Sequence, residues 1–248
     1  MIRGLYSSSS SLLALLRQQE VLSHNLANIA TPGFKQEIVL SQEGLRPSIV
    51  RQEGPTSEPI GSLGLGVYEM TRFDFSQGPL EHTQRPLDLA ILGQGFFRVQ
   101  TPDGIRLTRD GSFQRDAAGQ LVTAAGYPVL GENGPIRIDG EDLFIDSDGR
   151  IYVRGSDGPV ARITLVTVDL ASLKPQAGNL WDPGDSPLTV IPPQETHMKQ
   201  GFLEQANVDI SRTVVGMMLA LRSYEATQRS LRLQDEALRQ LMDVARVA

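Results

Sequence analysis

Apolar residues recur every three to four positions at both ends of this chain, and every second position or in short runs through its middle. Between residues 5 and 29, Leu5, Leu12, Leu15, Leu22, Leu26 and Ile29 fall on one heptad line whose remaining places are Ser8 and Gln19. That spacing lays an apolar stripe along one helix face. It predicts a helix of about eight turns that stops near Ala30. The residue before a proline resists helical angles and Pro-Gly favours a tight turn, so Thr31-Pro32-Gly33 ends it.

A second line, Ile210, Val214, Met217, Leu221, Tyr224, Gln228, Leu231, Asp235, Leu238, Met242 and Ala245, steps alternately four and three residues. It predicts a C-terminal helix of about 36 residues, roughly 54 Å long, longer than a compact domain of this size is wide. Asp209 or Ser211 supplies its N-cap. Gln19 and Gln228, polar on apolar lines, either fix register across an interface or face solvent.

Between the helices stand Phe96-Phe97-Arg98-Val99, Leu121-Val122, Ile136-Arg137-Ile138, Leu143-Phe144-Ile145, Ile151-Tyr152-Val153 and Ile163 to Val168. They read as short strands. Asp103-Gly104, Asp110-Gly111, Asn133-Gly134, Asp148-Gly149 and Asp157-Gly158 punctuate them as hairpin turns. The expectation is a central antiparallel β-rich domain, sandwich-like or barrel-like, within an α+β fold flanked by heptad helices that pair with each other and with neighbouring subunits. Residues 35–67, crowded with glycine and proline, carry weak periodicity and read as an extended connector.

Composition sharpens these divisions. Of 15 prolines, 14 lie between residues 36 and 200, together with 20 of the 24 glycines. The expected layout is 1–34 and 201–248 as two halves of a discontinuous helical core, 35–67 as the connector and 68–200 as the β-rich domain. Off-line residues such as Leu13, Leu16, Met218, Leu219 and Leu233 widen each stripe, so pairing the two helices leaves apolar surface that association would bury.

Charge and chemistry exclude more than they suggest. The chain has no cysteine, and its histidines, His24, His82 and His197, sit at least 58 residues apart, so thiolate and paired-histidine metal sites are excluded. No cofactor is expected. A net charge of −6 disfavours nucleic acid and anionic membranes as partners. No run reaches the roughly 20 apolar residues that would cross a bilayer, and the five apolar residues after Ser11 are too few for a cleaved signal. Gly93-Gln94-Gly95 opens like a dinucleotide fingerprint, but Arg98 replaces its third glycine. Asp146-Ser147-Asp148-Gly149 lacks the ligands that a calcium loop needs at its first and last positions. Neither supports catalysis, and no small-molecule substrate is expected.

One long motif is more specific. Asn25-Leu26-Ala27-Asn28-Ile29-Ala30-Thr31-Pro32-Gly33-Phe34-Lys35 resembles the signature of bacterial flagellar rod, hook and hook-filament proteins. Similarity continues through Arg85-Pro86-Leu87-Asp88-Leu89-Ala90-Ile91, Thr108-Arg109-Asp110-Gly111 and Ala206-Asn207-Val208-Asp209. The length is similar to that of the FlgF/FlgG rod proteins, with Arg85 to Asp88 and Pro128 to Gly131 nearer the proximal-rod FlgF type, the expected assignment, while residues 36–66 and Tyr224-Glu225 also fit the distal-rod FlgG type.

The resemblance implies a structural, non-enzymatic, self-assembling axial subunit that transmits torque between motor and hook. It implies as partners other copies, neighbouring rod and hook proteins, and the flagellar type III export apparatus. It also implies location in the basal-body rod, in the periplasmic space, without a cleaved signal. Asn25, Asn28, Thr31, Pro32, Gly33 and Phe34 carry the motif. Leu5, Leu12, Leu15, Leu22, Leu26, Ile29, Val214, Met217, Leu221, Tyr224, Leu231 and Leu238 form the expected helical assembly interface. Two alternatives stand: a hook or hook-junction protein, and a carbohydrate-binding or hydrolytic β domain using Phe73, Asp74, Phe75, Trp181 and Asp182.

Overall fold

The computed structural model describes residues 2–43, 48–53, 56–62, 67–140, 142–156, 158–192 and 197–247, with side chains for 9–40, 70–140, 142–156, 158–192, 197–237 and 239–240. The chain forms two compact units. One comprises Met1–Ala27, Glu37–Asp74 and Asp209–Ala248, the other Asn28–Gln36 and Phe75–Val208.

The first unit holds both helices, α1 (Ile2–Ala27) and α2 (Ile210–Val247). They pack on each other, and Leu22 lies against Gly216, whose missing side chain lets the helices approach. On α2 the buried line runs through Thr213 and Ala220, one position off the expected one, leaving Ile210 57% and Leu221 40% exposed. Small side chains at Thr213, Gly216 and Ala220 explain the rotation, because close packing rewards the face that admits a neighbouring backbone. Asp209 is the N-cap: its Oδ1 accepts from Arg212 N at 3.0 Å. No helix among the described residues is long and apolar enough to cross a membrane.

Residues expected to be a connector instead carry strands. Strand β1 (Glu37–Glu43) pairs antiparallel with β4 (Val67–Phe73), and β2 (Ser48–Glu53) with β3 (Thr56–Ser62), nested inside them. Backbone ladder bonds hold such ribbons, so little apolar alternation is required and the stretch reads as irregular.

In the second unit, six strands form an open sheet. They are β7 (Phe97–Thr101), β8 (Gly104–Thr108), β11 (Val129–Gly131), β12 (Gly134–Pro135), β17 (Lys174–Gln176) and β18 (Leu180–Asp182), in the order β12-β11-β7-β8-β18-β17. A second sheet contains β13 (Leu143–Ile145), β14 (Arg150–Val153) and β15 (Ala161–Arg162). Two-stranded pairs join β9 (Gln114–Arg115) to β10 (Leu121–Val122) and β16 (Val166–Thr167) to β19 (Thr189–Val190). The ends of the unit meet where β5 (Leu80–His82) pairs with β21 (Phe202–Glu204) and β6 (Leu89–Leu92) with β20 (His197–Gln200).

The barrel-like closure does not form among the described residues. Both edges of the six-stranded sheet carry proline, Pro135 and Pro175, which lacks the amide needed to continue a ladder. Alternation works as expected inside: Phe97 and Val99 are fully buried, and Phe97 meets Phe113 edge-on at 5.0 Å. Ile136 and Ile138 belong to this core without lying on a named strand. Phe75 and Trp181, proposed above for a sugar or hydrolytic cleft, instead pack ring to ring at 4.9 Å, with Trp181 3% exposed.

Candidate functional site: the buried bolt of the Pro-Gly turn

The motif residues begin on the last turn of α1. Asn25 is fully buried, accepts from Glu37 N at 2.9 Å and donates to Glu37 O at 2.7 Å. One amide side chain therefore satisfies both backbone groups of the first residue of β1. Helix α1 ends at Ala27, three residues before the expected stop. The turn starts earlier because Thr31 N donates to Asn28 O at 3.0 Å, and Thr31 Oγ1 reaches Asn28 Oδ1 at 3.4 Å. Ile29 consequently lies in this turn, outside the helix, which removes it from the expected helical line.

Gly33 has φ +67°, and a Cβ there would strike the carbonyl group of Arg109. Its N–H donates to Glu204 O at 2.6 Å. Pro32 O accepts from Asn179 Nδ2 at 2.8 Å, and Gln36 N donates to Asn207 Oδ1 at 2.7 Å. Phe34 is buried in the second unit.

Beneath this turn lies a closed ionic cluster. Lys35 Nζ donates to Glu204 Oε1 at 2.6 Å and to Ser76 O at 2.7 Å. Arg109 donates to Glu204 Oε2 at 3.1 Å and to Gly93 O at 2.9 Å, and its guanidinium lies 5.4 Å from the Phe96 ring centroid. Gly78 N adds a third donor to Glu204 at 3.0 Å. All three charged side chains are at most 4% exposed. Burial pushes the Arg109 guanidinium below its ordinary value, while the charge and hydrogen bond of Glu204 oppose that shift. Two cations thus share one carboxylate, and the surplus charge is met by two carbonyls and a ring face.

With no solvent-facing edge, the cluster holds chain segments together and presents nothing to a substrate. No group of acidic or histidine side chains among the described residues could hold a metal. Lys35, Arg109 and Asn207 lie in motifs that gave them no joint role, and Glu204 lies outside every motif quoted above. An acidic residue following directly on two apolar ones, as in Phe202-Leu203-Glu204, is the signal available in the sequence.

The expected interface residues behave differently. Leu12, Leu15, Leu22, Leu26, Val214, Met217, Tyr224 and Leu231 are half-buried and Leu221 is exposed. Leu5 and Leu238 lie outside the described side chains. Off the line, Leu13 is 68%, Val215 55%, Met218 57%, Leu219 58% and Leu233 68% exposed.

Three family models match the chain: "Flagella basal body rod protein" over residues 5–35, "Flagellar hook protein FlgE/F/G D1 domain" over 90–153, and "Flagellar basal body rod FlgEFG protein C-terminal" over 199–244. The chain is 34% identical to the flagellar basal-body rod protein FlgG of Buchnera aphidicola subsp. Schizaphis graminum, covering 97% of this chain and 99% of that one. It is 31% identical to FlgG of Bacillus subtilis, over 99% and 100% of the two chains. It is also 31% identical to FlgF of Caulobacter vibrioides, over 93% of each. Relatives of both names match, FlgG at up to 34% and FlgF at 31% identity, and the matched segments contain the Pro-Gly turn, Arg109 and Glu204 described above. The chain belongs to the family of flagellar basal-body rod proteins of the FlgF/FlgG type.

Proposed function

We propose that this structural rod subunit works by self-assembly: α1 and α2 interlock with the helices of other copies and of neighbouring axial proteins, and the polymer transmits torque from motor to hook. Catalysis has no part in this reading. The subunit reaches the periplasmic rod through the flagellar type III export apparatus, without cleavage of a signal. Leu12, Leu15, Leu22, Leu26, Val214, Met217, Leu221, Tyr224 and Leu231 support the helix pair. The off-line residues Leu13, Leu16, Val215, Met218, Leu219 and Leu233 supply the contact with neighbours.

The exposed apolar stripe carries this reading. Burying the exposed parts of these six side chains contributes roughly 5–10 kcal/mol gross, taking about 1.5–3 kcal/mol per fully buried side chain. Before ordering costs that corresponds to about micromolar pairing, so one contact is weak and several neighbours per copy are needed.

Sedimentation and electron microscopy of the purified full chain test this. Concentration-dependent assembly is expected, and replacing both Met218 and Leu219 by Glu abolishes it while the thermal midpoint of the monomer barely moves. Undiminished assembly of that variant, or a wild-type chain that stays monomeric at every concentration, refutes the proposal.

A further inference from the structure

Residues Asn28–Gln36 belong to the second unit but are not continuous with the rest of it. The 38 residues of Glu37–Asp74 intervene and fold in the other unit. The segment is held as a bound peptide is held, by backbone bonds along its length and by side-chain recognition at fixed places. Gly33 N and Phe34 O pair with the backbone of Glu204 and Asn207, at 2.6 and 3.4 Å. The side chains of Asn179 and Asn207 take Pro32 O and Gln36 N.

Recognition is selective at three consecutive positions. The wall formed by the backbone of Arg109 admits only glycine at position 33. Phe34 is enclosed, and Lys35 enters a socket containing one buried carboxylate and one carbonyl. Thr31 and Asn28 preform the turn that presents them.

We propose that the second unit is a peptide receptor for this Thr-Pro-Gly-Phe-Lys segment, filled in cis by the chain's own copy and able to accept the same segment from another copy. A covalent tether supplies an effective concentration on the order of millimolar, so exchange is suppressed in dilute subunits and becomes competitive where subunits crowd, as in a polymer. The groove and its ligand lie within one unit, and the proposal does not depend on how the helices assemble.

The test uses the full-length chain and a labelled synthetic peptide of residues 28–36, followed by fluorescence anisotropy. Gly33→Ala evicts the internal segment and leaves the groove open, and Lys35→Glu does so independently. Saturable binding to either variant is expected, at least about tenfold tighter than to the wild-type chain, whose groove is occupied. Peptides carrying Gly33→Ala or Lys35→Glu are expected to bind at least about tenfold more weakly than the native one.

If the variants do not fold alone, refolding them with the native peptide is expected to restore the strand signal in circular dichroism. Equal binding of native and substituted peptides overturns the proposal. So does absence of saturable binding at millimolar peptide by variants with intact strands, or failure of the peptide to restore unfolded ones.

Discussion

Lys35 and Glu204 stand 169 residues apart in the chain and meet at 2.6 Å, each with at most 1% of its side chain exposed. Glu204 is the shared counter-ion of Lys35 and Arg109, so the two ends of the pair are not equivalent. Removing Glu204 leaves two buried cations unmatched, whereas removing Lys35 leaves the Arg109–Glu204 pair intact. Glu204→Ala is expected to destabilise the β-rich unit by about 3–5 kcal/mol, and Lys35→Met by clearly less. Urea unfolding followed by the fluorescence of Trp181, the single tryptophan, measures both. Equal losses would show that the cluster is not organised around the carboxylate.

Arg109 reaches Glu204 and Gly93 O through different guanidinium nitrogens. A lysine has one nitrogen at the end of a flexible stem and cannot reproduce that fork. Arg109→Lys keeps the charge and is nevertheless expected to cost about 1.5–3 kcal/mol in the same unfolding experiment.

Gly111 packs where a Cβ would run into the carbonyl of Leu89, whereas Gly158 has open space around it. Gly111→Ala is expected to lose roughly 3 kcal/mol or more, and Gly158→Ala to stay within about 0.5 kcal/mol. Similar unfolding midpoints for the two variants would contradict the close approach.

Asn25 both accepts from and donates to the backbone of Glu37, and an aspartate can only accept. Asn25→Asp is expected to cost about 1–3 kcal/mol at neutral pH, by leaving Glu37 O unpaired against a carboxylate. Amide exchange at Glu37 should accelerate in Asn25→Ala and change far less in Asn25→Asp, because the accepting oxygen survives.

Asp209 caps α2 through Arg212 N. Asp209→Ala is expected to weaken the helix by about 1 kcal/mol, seen as faster amide exchange in its first turn. Asp209→Asn should restore most of the protection.

Both helices, the order of helix, β-rich middle and helix, and hairpins at Gly104, Gly134 and Gly149 were legible from the chain, because each depends on neighbours a few residues away. Asp110-Gly111 has the composition of a hairpin turn but serves a close approach to Leu89, which depends on a distant strand. The paired strands Glu37–Glu43, Ser48–Glu53, Thr56–Ser62 and Val67–Phe73 were not legible because backbone pairing leaves little trace in side-chain pattern.

What the sequence by itself determined about this protein is its periodicities and breaks: two long amphipathic helices, a turn-rich β middle, and a Pro-Gly stop that no helix can run through. Only the tertiary structure decided which face of α2 is buried, where the sheet ends, and that Lys35, Arg109 and Glu204 form one buried cluster. The physical reason is range. Helix and turn preferences are set by local sterics and spacing, whereas the pairing of buried charges and the fit of a glycine against a remote carbonyl exist only after distant segments have come together.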